Sequence, residues 1–171
     1  MNIELANASV KYGKKYALKD FTFEFESGKI YCILGGNGCG KTTMVRTLVS
    51  KYAPSGVISY VAQEMPSNVN LTVLDVVELG RYNSKKFFSG LSSNDKNLVE
   101  NALSEMEIED LKGRVVDTLS GGERQRVMIA RSIAQDTEWT ILDEPSSSLD
   151  VRHTEDVMKK IRNLVDNKGK S

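Results

Sequence analysis

The chain has 171 residues, enough for one domain with a substantial core and too few for two. Lys and Arg number 23, as do Asp and Glu, so the formal net charge is zero and no global positive field steers the chain toward nucleic acid or anionic lipid. Hydrophobic residues make up 40% and charged residues 27%, an ordinary globular balance, and no stretch approaches the roughly 18 to 20 apolar residues that span a bilayer.

The chain opens on MNIELANASVKY, whose apolar pattern is broken by charge and lacks an apolar run ending at small residues. That argues against a signal peptide and for a cytoplasmic protein. Ile3 to Tyr12 reads as a strand turning at Gly13, Lys14 and Lys15, and Phe21, Phe23 and Phe25 alternate with polar residues as in a strand with one buried face. Lys29 to Leu34, KIYCIL, is almost continuously apolar and is expected to be a strand buried on both faces. Met44, Val45, Leu48 and Val49 place a helix over 41–51, ended by Pro54, Ser55 and Gly56, and Val57 to Ala62 reads as a short strand.

Thr72 followed by Asp75 is a capping-box pattern opening the helix VLDVVELG, which Gly80 stops. The polar stretch 81–94 reads as a loop. Asp95 to Glu107 is expected to be an amphipathic helix burying Leu98, Val99, Ala102, Leu103 and Met106. Residues 72–111 therefore read as a helical subdomain inserted into a single 1–171 domain. A helix over 121–135, a buried strand WTIL at 139–142 and a final helix over about 151–167, burying Val157, Met158, Ile161, Leu164 and Val165, complete the chain. Cys32 and Cys39 are too few for a disulfide framework and, with one histidine, form no zinc-type cluster; both are expected to be free thiols.

Chemistry concentrates in a few motifs. Gly35, Gly36, Asn37, Gly38, Cys39, Gly40, Lys41 and Thr42 fit G-x-x-x-x-G-K-[ST] between an expected buried strand and the first turn of a helix, with Thr43 following. Glycines let the backbone N–H groups and the helix N-terminus face phosphates, Lys41 neutralises β/γ oxygens, and the Thr42 hydroxyl is placed to ligate Mg²⁺. Asp143 and Glu144 end the strand WTIL, where Asp143 is placed for Mg²⁺ and Glu144 for the attacking water. By themselves such acids more often serve as a helix cap or a solvated edge; beside a P-loop the balance reverses. Ser120, Gly121 and Gly122 open a helix as an anion-binding tip, or serve merely as its cap with Glu123.

The ordered set of P-loop, Gln63, LSGGE at 119–123, ILDEP at 141–145 and SSLD at 147–150 resembles an ABC-type ATPase domain. The resemblance implies an α/β P-loop NTPase with a parallel core sheet, a small antiparallel β-subdomain and an inserted helical subdomain. It further implies that Tyr12 stacks on adenine, that Gln63 senses Mg²⁺ and the γ-phosphate, and that Ser120, Gly121 and Gly122 contact the ATP of the opposite protomer in a homodimer, with Asp150 at the seam. LTVLDVVELGRY at 71–82 and LDVRH at 149–153 are most similar to importer ATPases for ferric siderophores, haem and vitamin B12; Arg81 and Tyr82 can equally end a helix and pack on its surface. The implied protein is an ATP-hydrolysing importer subunit, peripheral on the inner membrane face and coupled to integral-membrane permeases through a groove near Gln63 and Leu71 to Arg81. The alternatives are a soluble ABC ATPase acting on a protein, ribosome or DNA assembly, or an ATP-binding chain with little turnover.

Two departures from the family pattern stand out. The interval from Lys41 to Gln63 is short, so the antiparallel subdomain is expected to be trimmed. The family's switch histidine, on a strand after the final helix, has no counterpart; His153 begins a helix and is read as a surface residue. That strand would lie between KIYCIL and WTIL, so its loss leaves both with unpaired backbone groups. The expectation is that the sequence belongs to a longer chain or that another element fills the gap.

Overall fold

The computed structural model describes residues 1–62, 70–82, 90–143, 151–168 and 170–171, with the side chains of 151–154, 167 and 168 set aside. Two strands, β1 (Ile3–Tyr12) and β2 (Lys15–Phe25), form an antiparallel hairpin closed by a tight turn at Gly13, whose φ is +58°. Register shifts between Leu5 and Lys11 bend the ladder, so the simple alternation of the sequence does not survive: Ile3, Leu5, Leu18 and Phe25 are buried, whereas Phe23 is 42% exposed.

Helix α1 (Lys41–Tyr52) packs Met44 and Leu48 into the same core, and a 3₁₀ turn at Ala53–Ser55 leads to β3 (Ile58–Val61). Strand β3 pairs in parallel with β4 (Trp139–Leu142) from far along the chain, matching Ile58 with Trp139 and Val61 with Leu142. An edge-to-face aromatic group of Phe23, Phe25, Tyr31 and Trp139 joins the hairpin to β4, with ring centroids 4.6 to 6.4 Å apart.

The expected strand at 29–34 does not form among the described residues. Residues 29–34 carry no ladder with any of them, and Ile30, Ile33 and Leu34 are exposed, Leu34 by 86%. Apolar content can mark a buried strand, but hydrogen-bonding neighbours must complete it. The edge of β4 away from β3 carries, among the described residues, one rung: Ser171 N–H donates to the Glu138 carbonyl at 3.0 Å and Thr140 N–H to the Ser171 carbonyl at 2.8 Å. Ser171 Oγ also accepts from Gly28 N–H at 2.5 Å, so this residue stands between β4 and the segment leading to 29–34.

The second core is helical. Helices α2 (Val73–Glu78), α3 (Ser93–Glu105), α4 (Gly121–Ala134) and α5 (Val151–Lys168) enclose Val77, Leu103, Met106, Ile108, Val127, Ile129 and Val157. Helix α3 starts earlier than expected because Ser92, not the region of Asp95, caps it: Asp95 is the third helical residue, and its carboxylate accepts from the Ser92 N–H and hydroxyl. On α5, Val157 and Val165 are buried, but Met158 points outward and is exposed.

Arg81 ties this half together. Its Nε and Nη2 lie 2.9 Å from Asp95 Oδ1, and its Nη1 donates to the Ala134 and Gln135 carbonyls at 2.8 and 2.9 Å. Asp95 is 1% exposed, so Arg81 is the counter-charge of a buried carboxylate and a cap for the C-terminal end of α4, not a surface residue ending a helix. Gly80 permits the approach, since a Cβ there would lie 2.4 Å from the Arg131 carbonyl oxygen.

Candidate functional site

Between residues 35 and 42 the chain turns sharply into α1. Gly38 has φ +74° and Gly40 φ +102°, and a Cβ on Gly40 would sit 2.4 Å from the Ala17 carbonyl oxygen, so both backbone angle and close approach to β2 require glycine there. Gly35 is constrained from the other side, where a Cβ would meet the exposed Cys39 sulfur at 2.7 Å. Gly36 and Gly38 have nothing within 4 Å of a Cβ position, leaving that side of the loop open. Lys41 Nζ donates to the Gly35 and Gly36 carbonyls at 2.6 and 3.0 Å, which holds an ammonium over the loop.

A cleft of about 350 Å³ opens over this loop. Asn37, Gly38, Gly40, Lys41, Thr42 and Thr43 form one wall, and Tyr12, Lys15, Tyr16 and Ala17 of the hairpin form the other. Tyr12 is 61% exposed and free to present its ring. Tyr16 faces the same cleft and was not singled out from sequence; Lys11 and Lys19 stand 5.1 and 5.9 Å from its ring centroid. Helix α1 starts at Gly40 with no side-chain cap and no acidic residue in its first turn. Its first N–H groups and the positive end of its dipole therefore face the cleft, and no carboxylate among the described residues lines it.

Asp143 follows β4 directly. Its N–H donates to the Val61 carbonyl at 3.0 Å, and its Oδ2 accepts from the Tyr60 hydroxyl at 3.0 Å. Burial, and then the bond to Asp143, push the Tyr60 phenol above its ordinary value, with nearby Arg46 opposing. Sequence reading passed over Tyr60 because a tyrosine within VISYVA looks like core. Only the parallel register of β3 and β4 brings it to the carboxylate. Gln63, Glu144 and Asp150, and the side chain of His153, lie outside the described residues.

Ser120, Gly121 and Gly122 stand at the exposed start of α4, and none of them lines the cleft over the glycine loop. Here the capping reading holds in the isolated chain: Ser120 Oγ accepts from Glu123 N–H at 3.3 Å, while Ser120 N–H and Oγ–H reach Glu123 Oε2 at 2.8 and 2.7 Å. The Ser120 side chain and then its backbone N–H hold the Glu123 carboxyl below its usual range. Gly122 instead borders a separate cavity of about 280 Å³ shared with Arg126, Lys159 and Lys160.

The fold defines an α/β cassette with a glycine loop opening a helix, and comparison with known proteins gives its family. The family model for ABC transporters matches residues 18–147. The petrobactin import ATP-binding protein YclP of Bacillus subtilis is 34% identical over 99% of this chain and 74% of its own length. The ferric enterobactin transport ATP-binding protein FepC of Escherichia coli is 34% identical over 92% of this chain and 66% of its own. Among solved structures, a metal-chelate type ABC transporter in an inward-facing conformation superposes with a TM-score of 0.83 at 30% identity, covering 98% of this chain and 69% of that one. The chain therefore belongs to the ABC transporter family, as an ATP-binding cassette of the ATPase class that energises transport. No helix among the described residues is long and apolar enough to cross a membrane.

Proposed function

We propose that this cassette binds ATP in the cleft over the glycine loop and hydrolyses it to power import of a metal chelate such as a ferric siderophore or haem. The observation that carries the reading is the open start of α1: a glycine-shaped turn, uncapped N–H groups and the Lys41 ammonium converge where a triphosphate needs them. Backbone N–H groups from Gly35 to Thr43 and Lys41 hold the phosphates, and Tyr12, with Tyr16 beside it, offers a ring to the adenine. Among the described residues no three His, Cys, Asp or Glu side chains gather to hold a metal. Thr42, Asp143 and Gln63 are the residues assigned to Mg²⁺, which neutralises phosphate charge; Glu144 is assigned to the attacking water.

The same reading places Ser120, Gly121, Gly122 and Asp150 across from the ATP of a second copy. It is supported by the α4 tip standing outside the chain's own cleft: Ser120, Gly121 and Gly122 are not among the residues that line it. Glu123 occupies the tip in the single chain, so pairing requires the Ser120 hydroxyl to turn from that carboxylate to the phosphate. The permease docks on the subdomain at 72–111, which places the chain at the inner face of the membrane.

Phosphate release with Mg²⁺-ATP, compared between the wild type and Glu144→Gln, tests the reading. Turnover is expected in the wild type and its loss in the variant, which is expected to accumulate as an ATP-bound dimer in light scattering. Equal, negligible rates in both with no dimer would overturn hydrolysis by this chain.

A further inference from the structure

One polar contact on the β3–β4 pair has no part in binding phosphate. Asp143 is held at two points by β3: its backbone N–H by the Val61 carbonyl and its carboxylate by the Tyr60 hydroxyl, each at 3.0 Å. Tyr60 is half-buried, and the strand beneath it is fixed by a hydroxyl network on the opposite face, where Thr137 Oγ1 donates to the Trp139 carbonyl at 2.8 Å and lies 3.0 Å from Ser59 Oγ. Ser59 Oγ in turn lies 3.0 Å from Thr140 Oγ1, bridging the two strands. The tyrosine thus projects from a strand held on its other face, with its hydroxyl on Asp143 Oδ2.

We propose that Tyr60 is a positioning residue for the metal-binding carboxylate: by engaging Oδ2 it fixes the rotation of Asp143 and reserves Oδ1 for the divalent cation of the bound nucleotide. This rests on the reading of Asp143 as a Mg²⁺ ligand. A free aspartate at the end of a two-stranded sheet samples several rotamers, and a hydrogen bond from a half-buried phenol selects one of them before the metal arrives. Removing the hydroxyl alone leaves the ring packing and the phosphate loop untouched, so the loss should appear in metal affinity and not in nucleotide affinity.

The test uses the full chain with Tyr60→Phe, Asp143→Asn and the double variant. Mn²⁺ binding is followed by electron paramagnetic resonance in the presence of a non-hydrolysable ATP analogue, and analogue binding is measured separately in EDTA. Tyr60→Phe is expected to weaken Mn²⁺ binding by about ten-fold, the scale of one hydrogen bond to a charged group, while EDTA binding changes less than about two-fold. In the Asp143→Asn background the same substitution should cost Mn²⁺ binding nothing further. Unchanged Mn²⁺ binding in Tyr60→Phe alongside a deficient Asp143→Asn overturns the role of Tyr60 alone. Equal loss with and without metal, or an added loss in the double variant, shows a packing role and overturns it too. Unchanged Mn²⁺ binding in Asp143→Asn overturns the metal reading and this role with it.

Discussion

Four helix N-termini in this molecule can be compared, and they divide into two kinds. Helices α2, α3 and α4 each begin with a complete capping box, Thr72 with Asp75, Ser92 with Asp95 and Ser120 with Glu123, in which the side-chain oxygen takes a backbone N–H and the carboxylate reaches back. Helix α1 begins with Gly40, no side-chain cap and no acid. The three capped ends are electrostatically closed by the chain itself. The fourth leaves its donors and dipole for an anion from outside, and Lys41 adds a charge there. One fold thus uses the same helix physics twice, to finish three helices locally and to leave one unfinished where a ligand completes it.

The largest effect should come from removing the charge at the open end. Lys41→Ala is expected to lower ATPase activity by at least about a hundred-fold, with a cooperative melt retained, because a preorganised cation at developing phosphate charge is worth that much. Activity within a few-fold of the wild type would break the comparison. Closing the loop sterically should come next: Gly40→Ala meets the Ala17 carbonyl and a strained φ, and is expected to destabilise the protein by about 2 kcal/mol in urea titration while weakening nucleotide binding.

Opening a closed end is the complementary change. Thr72→Ala removes the hydroxyl half of the α2 cap, leaving the backbone N–H bond to Asp75, and is expected to cost about 1 kcal/mol of stability with ATP binding unchanged, measured by denaturation and nucleotide titration. The carboxylate side of these caps is acid-sensitive. Thr72 holds the Asp75 carboxyl, and Ser120 the Glu123 carboxyl, below their ordinary values. A carboxyl lowered in the folded state contributes stability above its unfolded pKa and loses it as pH falls through the ordinary carboxylate range toward the folded value. The smallest and sharpest test is Thr43→Glu, which supplies α1 with the missing acid. It is expected to raise stability by about 0.5 kcal/mol, from the dipole, and at the same time weaken ATP binding by like-charge repulsion. Two changes of the same sign would refute the idea that this end is held open for an anion.

Much of the fold was legible because its signals are local. The capping box at Thr72, the helix spacing over 41–51 and 121–135, and the strands VISYVA and WTIL all rest on neighbours within a few residues, and each element appears where expected. The start of α3 was misplaced because Ser92 sits in a serine cluster that reads as loop. At the site, the glycine loop was legible for the same reason: its positive backbone angles are a property of those residues. Tyr60 and Tyr16 were not, since one meets Asp143 only through the pairing of β3 with β4 and the other reaches the cleft only through the hairpin's bent register.

The amino-acid order alone determined the helices, their caps, the phosphate loop and the family to which they belong, because spacing, glycine geometry and capping chemistry operate over a few residues of chain. Tertiary structure decided what depends on partners distant in sequence. KIYCIL remains unpaired with Leu34 in solvent, Arg81 is drawn inward by the buried charge of Asp95 and the open carbonyls ending α4, and the Asp143 carboxylate receives its hydroxyl from a strand that joins it only in three dimensions. A strand requires neighbours and a buried charge requires its counter-charge, and neither is encoded at the position that needs it.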